Sequence, residues 1–164
     1  MYWIRMLTGW LLFIGMIGIW FSPQPSLYYH ILFLAEILNT EETLFIVVIK
    51  ALGIVFLIVG AILGLSGVLA LSIRTSGFHV KKELVTKNIY KYVRHPQYLG
   101  AILSHIGISL LTTELYSFLA TPLVIALFYT MSIAEDKELE SIFGEEFRKY
   151  KKMTGRFIPK FHYR

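Results

Sequence analysis

The chain has no cysteine among its 164 residues. Disulfides, thiolate metal sites and cysteine nucleophiles are therefore excluded, and the redox compartment cannot be read. Charge is also scarce. Only 16% of the residues are charged and 55% are hydrophobic, against roughly 25% charged in an ordinary soluble domain. No H-E-x-x-H, G-x-S-x-G, Walker loop or G-x-G-x-x-G occurs, which weighs against metalloprotease, serine hydrolase, nucleotide hydrolase and Rossmann readings. His30, His79 and His162 form no metal-ligand spacing, so no metal is expected. No block of basic residues interleaved with aromatics points to nucleic acid. Fixed-period repeats and low-complexity tracts are missing as well.

What is present is a set of apolar runs too long for one small soluble core to hide. A bilayer hides them without that constraint. Residues 6–21 form the first run, stopped by Ser22, Pro23 and Pro25. Between Lys50 and Arg74 there is no charge, and this helix can begin as early as Thr43. A third run follows Pro96 to about Thr113, and a fourth lies between Glu114 and Glu135. The stretch 27–38 is apolar but short, and it contains His30 and Glu36. It reads as an interfacial or re-entrant segment, with a fifth span as the alternative. The apolar N-terminus does not read as a cleaved signal: its basic region is Arg5 alone, and no small-residue cleavage site precedes Pro23.

Loop charge predicts the orientation. Residues 22–43 carry no Lys or Arg, whereas Arg74, Lys81, Lys82, Lys87, Lys91 and Arg94 crowd the middle loop. The tail from Glu135 onward is similarly basic. The positive-inside rule then places loop 74–95 and the tail in the cytoplasm. The expected fold is all-α: a polytopic helical membrane protein with four (alternatively five) transmembrane helices and a cytoplasmic C-terminal helix extension. Gly53, Gly60, Gly64 and Gly67 mark one face of the second span, for close helix packing or for a groove.

Two segments carry the chemistry. In the first, Pro96 suits the opening turn of a helix and pushes His95 out of it. The free N–H groups of that turn can hold an anion, and Arg94, His95, Tyr90 and Tyr98 surround them. An interfacial anchor is the competing reading. In the second, residues 132–152 continue the fourth span as a helix with one apolar face. Glu135 and Asp136 sit where that span leaves the membrane, partly desolvated and in need of a partner such as Arg94 or His95. His105 lies within the third span, either as a functional group or as a neutral histidine bonded to a neighbouring helix.

At these two segments the sequence resembles the isoprenylcysteine carboxyl methyltransferase family and its wider relatives among membrane phospholipid methyltransferases. The matching pieces are L-V-T-K-N-I-Y at 84–90, R-H-P-Q-Y-L-G at 94–100 and E-D-K-E-L-E-S-I-F-G-E-E-F-R-K-Y at 135–150. The resemblance implies an S-adenosylmethionine-dependent membrane enzyme that methylates a lipophilic acceptor, such as a prenylcysteine carboxylate or a phospholipid amine. It implies cofactor contacts from Lys82, Glu83, Leu84, Val85, Tyr90, His95, Pro96, Gln97, Tyr98 and Glu135, with Arg94, His95 and Glu135 as the catalytic group. One integral domain (1–164) follows, with scaffold spans in 1–73 and the cofactor-binding half in 74–164. Members that methylate a carboxylate carry an arginine one helical turn before the first acidic residue; here Met131 stands there. Met131 and His105 are then the acceptor-side residues, and an amine or thiol acceptor is left open. A non-catalytic membrane subunit, sensor or transporter on the same scaffold is the alternative.

Overall fold

The computed structural model describes residues 2–37, 41–75 and 83–160. Every regular element among them is helical: α1 (Tyr2–Phe21), α2 (Tyr28–Ile37), α3 (Glu42–Thr75), a 3-10 turn (Asn88–Lys91), α4 (Pro96–Thr112), α5 (Leu115–Phe143) and α6 (Glu145–Met153). Two of these helices are long and apolar enough to cross a membrane: Thr43–Leu71 within α3, and Leu115–Phe143. Only 11% and 22% of their most apolar stretches are buried within the protein, so neither is the core helix of a soluble fold. Leu52, Ile58, Ile62, Leu65, Leu119 and Leu123 are all exposed, an arrangement that water would not tolerate over such an area.

The helix ends follow local chemistry. α1 stops before Pro23, and one of its last carbonyls takes two side-chain donors: Ser22 Oγ donates to the Ile19 carbonyl at 3.1 Å and Gln24 Nε2 to the same oxygen at 2.7 Å. α2 has ten residues, about 15 Å at 1.5 Å per residue, half of a bilayer core. α4 opens on Pro96, as its missing N–H favours. The helix expected over 132–152 is instead broken in two. Gly144 adopts a positive φ of 52°, a conformation open to glycine but costly for other residues, and α6 restarts after it.

The chain divides into two compact units. The first comprises Met1–Val59 and Ile102–Ile125, the second Gly60–Ala101 and Ala126–Arg164. Within the first, a Cβ on Gly107 would lie 2.6 Å from the Leu57 nitrogen and 2.8 Å from the Gly53 carbonyl, so α3 and α4 meet backbone to backbone. The loop after α1 pairs with the turn between α4 and α5: Leu27 N–H donates to Thr113 O (2.5 Å) and Leu115 N–H to Pro25 O (3.0 Å). An apolar cavity of about 270 Å³ in this unit is lined by residues that include Ile31, Phe45, Ile49 and Phe118. Within the second unit, a Cβ on Gly100 would sit 2.5 Å from Gly64 N and 2.6 Å from Gly60 O, and Gly67 abuts Pro96 and Gln97. The glycine face of α3 therefore serves close packing in both units.

Candidate functional site

Residues 92–95 link the 3-10 turn to α4, and the tail holds them from one side. Val93 and Gly155 form a parallel backbone bridge. Arg94 N–H donates to Gly155 O at 2.9 Å and His95 N–H to Arg156 O at 3.2 Å. The His95 carbonyl accepts from Leu99 N–H at 3.1 Å, so His95 is the residue that starts α4 without belonging to it. Its side chain is left free to face α5.

Asp136 is the hub of the cluster. Its side chain is 2% exposed, and a carboxylate that deep needs paired donors. Arg94 supplies Nε at 3.3 Å and Nη2 at 3.0 Å, His95 Nε2 lies 2.8 Å away, and Arg156 Nη2 reaches it at 2.9 Å. Arg94 spends its other arm on backbone: Nη1 donates to the carbonyls of Lys151 and Thr154. Arg94 thus ties the turn, α5 and the end of α6 together with nearly all of its donors.

His95 has a carboxylate at each ring nitrogen, because Glu135 Oε2 lies 3.5 Å from Nδ1. Burial opposes a charge on the ring, but the hydrogen bonds that the ring makes to Asp136 and Glu135, with their negative charge, outweigh it and raise the His95 pKa above the ordinary histidine value. The ring stacks on Tyr98 (5.6 Å between centroids, 4° between planes) and meets the edge of Phe157 at 6.4 Å. Tyr98 in turn packs on Phe128 at 5.6 Å. Tyr90 is buried; its hydroxyl lies 3.4 Å from Gly67 O and 3.5 Å from Gln97 Nε2. Burial, then the charge of Glu135, pushes the Tyr90 phenol above its usual pKa, so it stays neutral. Tyr150 pins that segment by donating to Tyr90 O at 2.7 Å.

The structure therefore joins Arg94, His95, Tyr98 and Glu135 directly, and Tyr90 reaches Gln97 beside them. The partner expected for the desolvated acidic pair is present, but Asp136 rather than Glu135 takes most of it. Glu135 keeps 26% of its side chain exposed. Leu84 is buried and Glu83 exposed, and Lys82 lies outside the described residues. Met131 is half-buried on α5. His105 belongs to the first unit, where Trp20 Nε1 donates to Nδ1 at 3.1 Å and Nε2 faces Ser117 O at 3.2 Å. Both of its nitrogens are committed to the scaffold. Sequence reasoning missed the tail: Thr154, Gly155, Arg156 and Phe157 have no periodicity and no motif that announces them.

A family model described as phospholipid methyltransferase matches residues 48–146. The chain is 38% identical over 77 residues to protein-S-isoprenylcysteine O-methyltransferase of Schizosaccharomyces pombe, a match covering 46% of this chain and 33% of that protein. It is 35% identical over 74 residues to methanethiol S-methyltransferase of Pseudomonas deceptionensis, covering 45% and 28%. It is 36% identical over 75 residues to methanethiol S-methyltransferase 1 of Bradyrhizobium diazoefficiens, covering 45% and 25%. The chain thus spans a third or less of the length of these curated relatives. No solved structure matches it.

Proposed function

Because this chain belongs to the phospholipid methyltransferase family, we propose that it is a membrane methyltransferase that uses S-adenosylmethionine to methylate a lipophilic acceptor from within the bilayer. The observation that carries this reading is the joining of Arg94 and His95 to Glu135 and Asp136. It assembles charged, aromatic and partly open groups at the start of α4 and the polar end of α5. Their chemistry fits the cofactor. Glu135, the less buried carboxylate, suits the ammonium or a ribose hydroxyl. The faces of Tyr98 and Tyr90 suit a sulfonium. Glu83, Leu84, Val85, Pro96 and Gln97 belong to the same proposed wall, and Lys82 precedes them in the chain.

When bound, S-adenosylmethionine supplies an electrophilic methyl group on sulfur. The work left to the chain is alignment and the exclusion of water. Tyr98, stacked on His95 and braced by the tilted ring of Phe128, offers a fixed surface for that. Arg94, whose donors are committed to Asp136 and to backbone, acts as a positioning residue; His95 and Glu135 are the groups placed to touch the cofactor.

On topology, we infer four spans (α1, α3, α4 and the apolar part of α5), with α2 at the interface. Loop 74–95 and the basic tail then face the cytoplasm, so cofactor and acceptor approach from different phases. Residues 1–73 serve mainly as scaffold and 74–164 as the cofactor half, although the glycines from Gly60 to Gly67 belong to the site's own unit. Two relatives are named for methanethiol and one for oxygen on isoprenylcysteine. Met131 offers no charge to a carboxylate, which favours a thiol or amine acceptor here.

Tyr98→Ala and Glu135→Ala should each weaken S-adenosylmethionine binding at least about tenfold, the loss of one charge-assisted or stacking contact, as titration calorimetry in detergent reads. Unchanged affinity in well-folded variants of both overturns the assignment. Labelled cofactor with prenylcysteine, phosphatidylethanolamine and thiol acceptors tests the acceptor class; saturable binding with no transfer to any of them, or to a lipid extract, favours the non-catalytic alternative.

A further inference from the structure

The proposed methyl transfer gives no part to Arg156, a strong cation of the same cluster. Arg156 has five N–H donors, of which Nη2 is spent on Asp136 at 2.9 Å. Its guanidinium lies over the Tyr129 ring, 4.9 Å from the centroid. Nε is buried with no partner, and Nη1 has none among the described residues. A buried donor without an acceptor is costly, and 21% of the side chain is still exposed, so the group is neither fully satisfied nor sealed away.

Charge balance points the same way. Around Asp136 stand Arg94, Arg156 and His95, the last with a carboxylate oxygen at each ring nitrogen. Two guanidiniums and the ring of His95 thus share the single Asp136 carboxylate. A buried carboxylate shared by two guanidiniums leaves donor capacity over, which favours an incoming anion. Arg94 is poorly placed to receive it, since four of its five N–H donors go to Asp136, Lys151 O and Thr154 O, and both nitrogens of His95 are taken. Arg156 is the member with donors to spare.

Resting on the cofactor reading, we propose that Arg156 binds the α-carboxylate of the methyl donor. The backbone of Arg156 is tied to His95 and its side chain to Asp136, so it stands on the wall assigned to the donor. Glu135 touches the same His95. An α-amino acid group carries an ammonium beside a carboxylate, and Glu135 with Arg156 presents the complementary pair around one His95–Asp136 centre. The tail then contributes a ligand-binding residue as well as a cover over the turn.

The test compares S-adenosylmethionine with its decarboxylated analogue, which differs only at that carboxylate, by titration calorimetry on the wild-type chain and on Arg156→Met and Arg156→Lys. Methionine keeps apolar contact with Tyr129 while removing the donors. The wild type should prefer the carboxylated ligand by about tenfold or more, the range of a charge-assisted hydrogen bond. Arg156→Met should bring that preference to within about twofold by weakening the carboxylated ligand far more than the analogue, and Arg156→Lys should fall between. A preference that survives Arg156→Met overturns the proposal. So does equal weakening of both ligands, which marks a tail that is only structural. Binding of neither ligand by the wild type sinks the cofactor reading itself and the proposal with it. Thermal unfolding of each variant confirms that a folded protein was titrated.

Discussion

His95 and His105 are the same side chain at two places along α4, and the two units treat them in opposite ways. His95 precedes the helix, with a carboxylate oxygen at both nitrogens. His105 lies inside it, accepting from the Trp20 indole at Nδ1 and facing a backbone carbonyl with Nε2. A nitrogen that accepts carries no proton, so His105 is the neutral Nε2–H tautomer. Both of its partners are neutral groups, and Ser117, whose carbonyl it faces, is itself held by Gln24, with Ser117 N–H donating to Gln24 Oε1 at 3.0 Å. The contrast separates a saturated structural histidine from one held in a charged cluster with donors to spare. Burial does not distinguish them, because both rings are almost fully covered. The partners do.

The largest test of that contrast is to break each hub. Asp136→Asn keeps the shape but leaves Arg94 and Arg156 facing an amide in a buried place. It should cost about 3–5 kcal/mol, the usual result of removing one side of a buried ion pair, read as a lower unfolding temperature in detergent. Trp20→Phe removes one neutral hydrogen bond from His105 and should cost about 1–2 kcal/mol. Equal losses would erase the distinction between the two centres. Because Arg94 and Asp136 act as one unit, Arg94→Met added to Asp136→Asn should cost far less than it does alone.

A smaller effect separates packing from binding. Gly100→Ala and Gly107→Ala both force a methyl into the backbone of α3, and each should cost about 1–3 kcal/mol as overpacking does. Only Gly100 is in the unit that holds His95 and Asp136. Gly100→Ala should therefore also weaken cofactor binding by a few-fold, roughly 1 kcal/mol, while Gly107→Ala leaves it unchanged in calorimetry. A loss of affinity in Gly107→Ala would show that the site depends on the whole helix and not on its own unit.

How much of this was open to sequence reasoning depended on range. Apolar runs, the stop at Pro23 and the start of α4 at Pro96 are set by neighbours within a turn or two, and they read correctly. The break at Gly144 did not, since the apolar spacing continues across it and only the backbone shows the positive φ. At the site, the acidic pair and the Arg94–His95 pair were visible as groups in need of each other. Which carboxylate turns inward was not: adjacent residues on a helix point about 100° apart, and packing against the turn chose Asp136. Arg156 and Phe157 were the least legible. They reach His95 only because α6 and the turn after it carry the tail back to residues 93–95, a return that no local pattern encodes.

The smallest predicted effect is the sharpest discriminator between the two histidines. The pKa of His95 is raised in the folded chain relative to about 6.5 when unfolded. Its stabilising contribution is therefore fully present below about pH 6.5 and is lost as pH rises through the folded value. Above that, the ring is neutral, offers only one N–H, and leaves one of its two carboxylate contacts without a donor. Unfolding temperature should accordingly fall by a few degrees, roughly what 1 kcal/mol produces in a chain of this size, as pH is taken from 6 upward past the folded pKa. His95→Asn should flatten that slope, because asparagine has no proton to lose. His105→Asn should lower the unfolding temperature at every pH and leave the slope as it was. A slope that persists in His95→Asn would place the titrating group elsewhere in the cluster and break the assignment of His95 as its charged member.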